Sequence, residues 1–257
     1  MSGPEVQASA RSLLAIGVAT GILAGLLGVG GGIIIVPALA ALGYGRHQAN
    51  AISLATILFV AVAGLIGFAL SDALDVPVGL ALGVGGLAGA TFGAHWAHRL
   101  SPITLARFFG VLLIVAGIRL LVAGGTPVGD AMVTGLFGVA VAVVIGAVAG
   151  VVSGLAGIGG GVIMVPAMVF LLGLGQHVAE GTSLLAILFT AAAGTRVNVS
   201  HHYIEWRAVW LLTVTGVIFA PAAALFAQTL HADTLARLFG IWVLATAART
   251  LWKARGD

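Results

Sequence analysis

GLLGVGGGIIIVPA, residues 25–38, decides how this chain is read, because it occurs twice. The second copy is GLAGIGGGVIMVPA, residues 154–167, and ten of its fourteen positions match the first. Each copy sets a triple glycine between an apolar run and a shorter apolar run that carries a proline. In a soluble protein, a glycine loop opening a helix suggests phosphate binding. The flanking sequence here is as apolar as lipid, so the stretch reads as a helix broken inside a membrane.

Composition agrees with that reading. Of 257 residues, 60% are hydrophobic and 7% charged, with a mean hydropathy of +1.18. A soluble domain carries about 25% charged residues. The pI of 10.2 reflects a net charge of only +3, so no nucleic-acid partner is implied and the arginines read as topology markers. The 39 glycines are about twice the usual share, as close packing of membrane helices favours. Cysteine is absent, which excludes disulfides, thiolate catalysis and thiolate metal sites. The fold class is an all-α polytopic membrane protein in the lipid bilayer, with residues 1–257 forming one transmembrane domain.

From the start of the chain, Arg11 precedes an apolar run over residues 12–27. It is expected to be an uncleaved first segment and not a signal peptide, since cleavage would cut into an element that the second half keeps. After the glycines, residues 33–42 form a piece of about 15 Å as helix, half the roughly 30 Å hydrocarbon core, and cannot span alone. Full spans are expected over residues 49–70, 78–97 and 103–121, with the acidic SDALDVP turn between the first two. The second half repeats the order: a lead-in over 131–153, a short piece over 162–172, and spans over 179–197, 208–226 and 234–250. TLARFFG at residues 104–110 recurs as TLARLFG at 234–240. Repeat one covers about 12–122, a linker about 123–130, and repeat two about 131–252. The repeat pairs His47 with His177, Asn50 with Glu180, Ser53 with Ser183 and Asp75 with Glu205.

Charge orients the halves. With the SDALDVP turn outside, nine of the eleven Lys and Arg residues fall on the cytoplasmic side and only Arg119 and Arg237 outside. Positive charge concentrates in this way on the cytoplasmic face of membrane proteins. Both termini are then cytoplasmic. Three full spans plus one in-and-out element per half is an odd count, so the expected repeats are of inverted topology. A parallel arrangement would scatter the arginines over both faces.

Inversion lets the triple glycines meet near the midplane, where irregular backbone survives only inside protein or along a wet cavity. Unpaired N–H groups at Ile33 and Val162 would then face one another. A helix N-terminus favours an anion by roughly 0.3–2 kcal/mol. The expected substrate-binding residues are Gly30, Gly31, Gly32, Ile33, Asn50 and Ser53 in repeat one, with Gly159, Gly160, Gly161, Val162, Thr182 and Ser183 in repeat two. The competing reading is that the glycines serve helix packing alone, although three in a row, each costing about 1 kcal/mol within a helix, exceed that need.

The duplicated GxGGGxxxVP element, the following AISL at 51–54 and GTSL at 181–184, and YIEW at 203–206 resemble the TauE/SafE family of sulfite and organosulfonate permeases. The resemblance implies a secondary transporter, an exporter of small sulfur oxyanions, with both glycine motifs in the transport path and no cofactor. It implies residence in the plasma membrane, a bacterial inner membrane. The chain departs from its own second copy at Ile52, where repeat two has the hydroxyl of Thr182.

His47, His177 and Glu180 are the candidates for coupling or gating, with a proton or sodium ion as the coupling partner; His177 with Glu180 is the expected pair. The alternative is an interfacial histidine beside a carboxylate favoured near a helix N-terminus. Two rival classes remain. An intramembrane metal enzyme would use His95, His98, His201, His202 and Glu205, although no carboxylate set accompanies these histidines and they read as interfacial, leaving no metal ligand or catalytic residue assigned. An anion channel would share the pore without alternating access. A homo-oligomer is compatible with the sequence.

Overall fold

The computed structural model describes residues 8–96 and 135–253, with a scatter of positions between 110 and 124. Most of the expected span over 103–121, the linker over 123–130 apart from Gly124, and His98 lie outside the described residues. Those residues form α1 (Ala10–Leu27), α2 (Gly32–Ala41), α3 (Arg46–Ala69) and α4 (Val76–Trp96), then α5 (Gly135–Ala156), α6 (Gly161–Leu171), α7 (Gln176–Ser200), α8 (Trp206–Thr229) and α9 (Ala232–Lys253). Among them, α1, α3, α4, α5, α7 and α8 are long and apolar enough to cross a membrane.

Local sequence explains the boundaries. Ser9 caps α1, its Oγ accepting the Ser12 N–H at 3.1 Å. Asp75 caps α4 by accepting the Val78 N–H at 3.0 Å. Gly28 closes α1 in the left-handed region at φ 63°, a conformation open chiefly to glycine. Gly31 at φ 76° and Gly160 at φ 87° open α2 and α6. Both short helices start one residue earlier than the apolar pattern predicts, because the third glycine of each triplet already has helical geometry. Pro37 and Pro166 sit at equivalent points inside them, and each leaves a carbonyl one turn back without its helical partner.

The halves are interlaced. α1 packs on α8 and α4 on α5, so each half's first helix lies against the fourth helix of the other half. Glycine stripes permit the approach: a Cβ at Gly21 would lie 2.5 Å from the Gly216 carbonyl oxygen, and Gly85, Gly89 and Gly93 would overlap the backbone of Val143, Ala147 and Val151. Those pairings advance in step along the chain, so α1 and α8 run parallel, as do α4 and α5. The equivalent helices α3 and α7 run antiparallel, with Leu54 against Gly194 and Leu184 against Gly64. These two contacts are images of one another under the repeat. The turns that follow share a second mark: Asp72 and His202, equivalent positions, hold positive φ of 51° and 56°. Side chains such as Val84, Phe92, Trp210 and Ile218 cover the outside, as lipid contact requires.

Candidate functional site: two helix breaks in contact

The breaks at residues 28–31 and 157–160 touch at the centre of the bundle. A Cβ at Gly32 would lie 2.6 Å from the Gly157 carbonyl oxygen, and one at Gly161 would lie 2.8 Å from that of Gly28. Ile57 of α3 and Ile187 of α7, both fully buried, pack against the glycines from either side. The first bonds into α2 run from the N–H groups of Ile34 and Ile35 to Gly31 O, and those into α6 from Ile163 and Met164 to Gly160 O. Gly32, Ile33, Gly161 and Val162 therefore carry the unpaired N–H groups of the first turn. All four are buried. The segments carrying the breaks, residues 12–45 and 135–175, contain no charged side chain. Positive potential at this centre comes from backbone.

Side chains of each half hold the break of the other. Ser53 Oγ donates to Gly157 O at 2.7 Å, and Ser183 Oγ donates to Gly28 O and to Glu180 O at 2.9 Å. The serine protons thus go to carbonyls. Asn50 Nδ2 donates to the Gly154 and Leu155 carbonyls at 3.3 Å each, at the end of α5. Thr182 lies away from the glycines, its Oγ1 accepting the Asp75 N–H at 2.9 Å. Gly30 and Gly159 both rest against Ile57 and Ile187.

Glu180 is fully buried. Its Oε1 accepts from Gln176 Nε2 at 2.7 Å, whereas His177 points Nε2 to the Ala227 carbonyl at 3.1 Å. His47 is exposed at the end of the bundle where α3 and α8 begin, stacked on Tyr203 with ring centroids 5.5 Å apart. Beside it, burial first and the Glu205 carboxylate second push Tyr44 up to about 12, so it is a neutral phenol at physiological pH. His95 lies within 2.7 Å of Thr91 O through Nδ1. Among the described residues no three His, Asp or Glu side chains come together as a metal site.

Sequence reading missed three contributors. Gln176 lies one turn before Glu180 and so shares its face. Thr190 donates to Gly159 O at 3.0 Å, and its repeat mate is Val60. Thr20 backs Gly31 where repeat two has Ala149. Each is a polar residue whose mate is not the same, and that asymmetry was the available signal.

A helical bundle with broken helices meeting inside it defines a multi-pass membrane protein of the transporter class. The sulfite exporter TauE/SafE family model matches residues 2–120 and 141–257, and the chain belongs to that family. Its relatives carry the same class. A "probable membrane transporter protein" of Xylella fastidiosa is 29% identical over 243 residues, covering 91% of this chain and 92% of its own. "Probable membrane transporter protein YunE" of Bacillus subtilis is 27% identical over 217 residues, 76% of this chain and 80% of its own. No solved structure matches the chain.

Proposed function

We propose that the protein is a secondary carrier that exports small sulfur oxyanions, sulfite or organosulfonates, by alternating access about the two breaks. The observation that carries this reading is the convergence of two helix N-termini, with unpaired N–H groups, in a centre without lysine or arginine. Such donors suit a compact oxyanion with three acceptor oxygens. The antiparallel crossing of α3 and α7 and the arginine distribution support inverted repeats with both termini cytoplasmic, in a plasma membrane. Ser53 and Ser183 release the Gly157 and Gly28 carbonyls as the breaks part, and their hydroxyls, with Asn50, then turn to the anion. Either half can let the anion go while the other still holds it.

Sulfite uptake and counterflow in proteoliposomes test the proposal. Saturable flux, accelerated by anion on the opposite side, is expected. A linear, non-saturating flux would indicate a channel. Preference for a cation, or no response to any of sulfite, sulfonates, sulfate and carboxylates, would overturn it.

A further inference from the structure

We propose that Glu180 is the carrier's proton-binding site: it holds a proton while α7 is seated on the break at Gly28, and yields it when the two separate. This rests on the transporter reading but not on the nature of the substrate. Three observations place the proton there. First, Glu180 lies fully buried among apolar helices, and its second carboxyl oxygen, Oε2, has no hydrogen-bond partner. An ionised carboxylate in such a place, with one neutral amide donor and no cation among the described residues beside it, is strongly disfavoured. Second, Asn50 is the repeat mate, and its amide N–H donors go to the carbonyls at the end of α5. A Cβ at Gly157 would lie 3.0 Å from Asn50 Cα, and one at Gly28 would lie 2.6 Å from Glu180 Cα. Both residues therefore stand beside the negative end of a broken helix, where a donor is favoured and an anion is not. A protonated Glu180 is neutral, as Asn50 is, and avoids setting an anion at that end. Third, the contact is with a break, so the carboxyl gains access to water through the same separation that alternating access requires.

Among the described residues, the ionisable neighbours do not supply another charge partner. α1 has only Arg11, far from the break, and α2, α5 and α6 have none. α3 and α4 carry Arg46, His47 and His95 at their opposite ends. At the Glu180 end stand His177, turned to Ala227, and Asp72 and Asp75 of the α3–α4 turn, the latter capping α4. His231 follows α8, with Asp233 and Arg237 in the first turns of α9. Since repeat one has Asn50, the device exists in one half only. One proton site per cycle follows.

The test uses the absence of cysteine. Val29, buried in the first break, becomes a reporter as Val29→Cys, and its alkylation rate in proteoliposomes reads separation of the breaks. The rate is compared in the parent and in Glu180→Gln, which keeps shape and donor; the cysteine's own titration and that of every other group cancel in the ratio. The parent-to-Gln ratio should be near one at low pH and rise by up to about tenfold per pH unit while Glu180 titrates. A ratio independent of pH overturns the proposal. Asn50→Asp with Ile158→Cys provides a second arm, expected to create the same pH-dependent opening at the other break; its failure to do so also counts against the proposal. Absence of sulfite flux alongside the expected ratio would sink the sulfur-anion reading and leave the proton site intact.

Discussion

The break at residues 28–32 meets Glu180, Ser183 and Thr20, whereas the equivalent break at 157–161 meets Asn50, Ser53 and Ala149. The left-handed glycines, the prolines and the serine-to-carbonyl bonds are shared. The residue at the helix end and the one behind the glycine are not. Shared parts are those that geometry demands of both halves: a chain reversing inside apolar surroundings needs positive φ and a donor for each freed carbonyl. Unshared parts can differ in chemistry without disturbing that geometry. A symmetric scaffold thus carries an asymmetric pair, a titratable carboxyl on one break and a fixed amide on the other.

Substitution of the glycines should have the largest effect. Gly31→Val and Gly160→Val are both expected to abolish flux while the protein still inserts, because positive φ costs a branched residue about 1–3 kcal/mol and the side chain parts the breaks. Alanine sharpens the comparison. A Cβ at Gly31 would overlap Thr20, its oxygen lying at 2.8 Å, while one at Gly160 finds its nearest neighbour, Ala149 O, at 3.1 Å. Gly31→Ala should therefore be the more damaging, and Thr20→Ala should recover part of that loss. Equal damage from both alanines, measured as flux per inserted protein, would show that the two sides are equally crowded.

Next in size is Asn50→Leu, which strips the Gly154 and Leu155 carbonyls of their donor. Unfolding in detergent should show a loss of about 1–3 kcal/mol, the cost of leaving buried acceptors unpaired. Ser53→Ala and Ser183→Ala each remove one hydroxyl donor to the opposite break, the Ser183 proton being shared with Glu180 O, and each should cost about 0.5–1.5 kcal/mol. Because their targets are repeat mates, the two losses should be similar. A loss confined to one serine would mean that only one break is held this way.

Much of this is legible in the amino-acid sequence. The duplicated glycine stretch gave the breaks, and the apolar lengths gave α3, α4, α7 and α8 to within a few residues, since a span must match the bilayer. The serines were identifiable as mates, but not their partners: Ser53 reaches 104 residues along the chain to Gly157, across an interface that periodicity does not encode. For the same reason, sequence paired Glu180 with His177, three residues away, while the fold turns His177 to Ala227 and gives Glu180 to Gln176. Interlacing of the halves was equally hidden, because glycine stripes on α1, α4 and α5 mark close approach without naming the helix approached.

The proposed inversion of the repeats would account for the facing breaks, and it can be tested without knowing the substrate. Asp72 and His202 are equivalent, exposed and at the tips of equivalent turns, in a chain free of cysteine. Single variants Asp72→Cys and His202→Cys, treated on intact cells with a membrane-impermeant maleimide, should label at position 72 only, with position 202 reacting after permeabilisation. Labelling of both positions from outside, or of neither, would contradict the inverted arrangement and with it the convergence of the two helix N-termini on one anion.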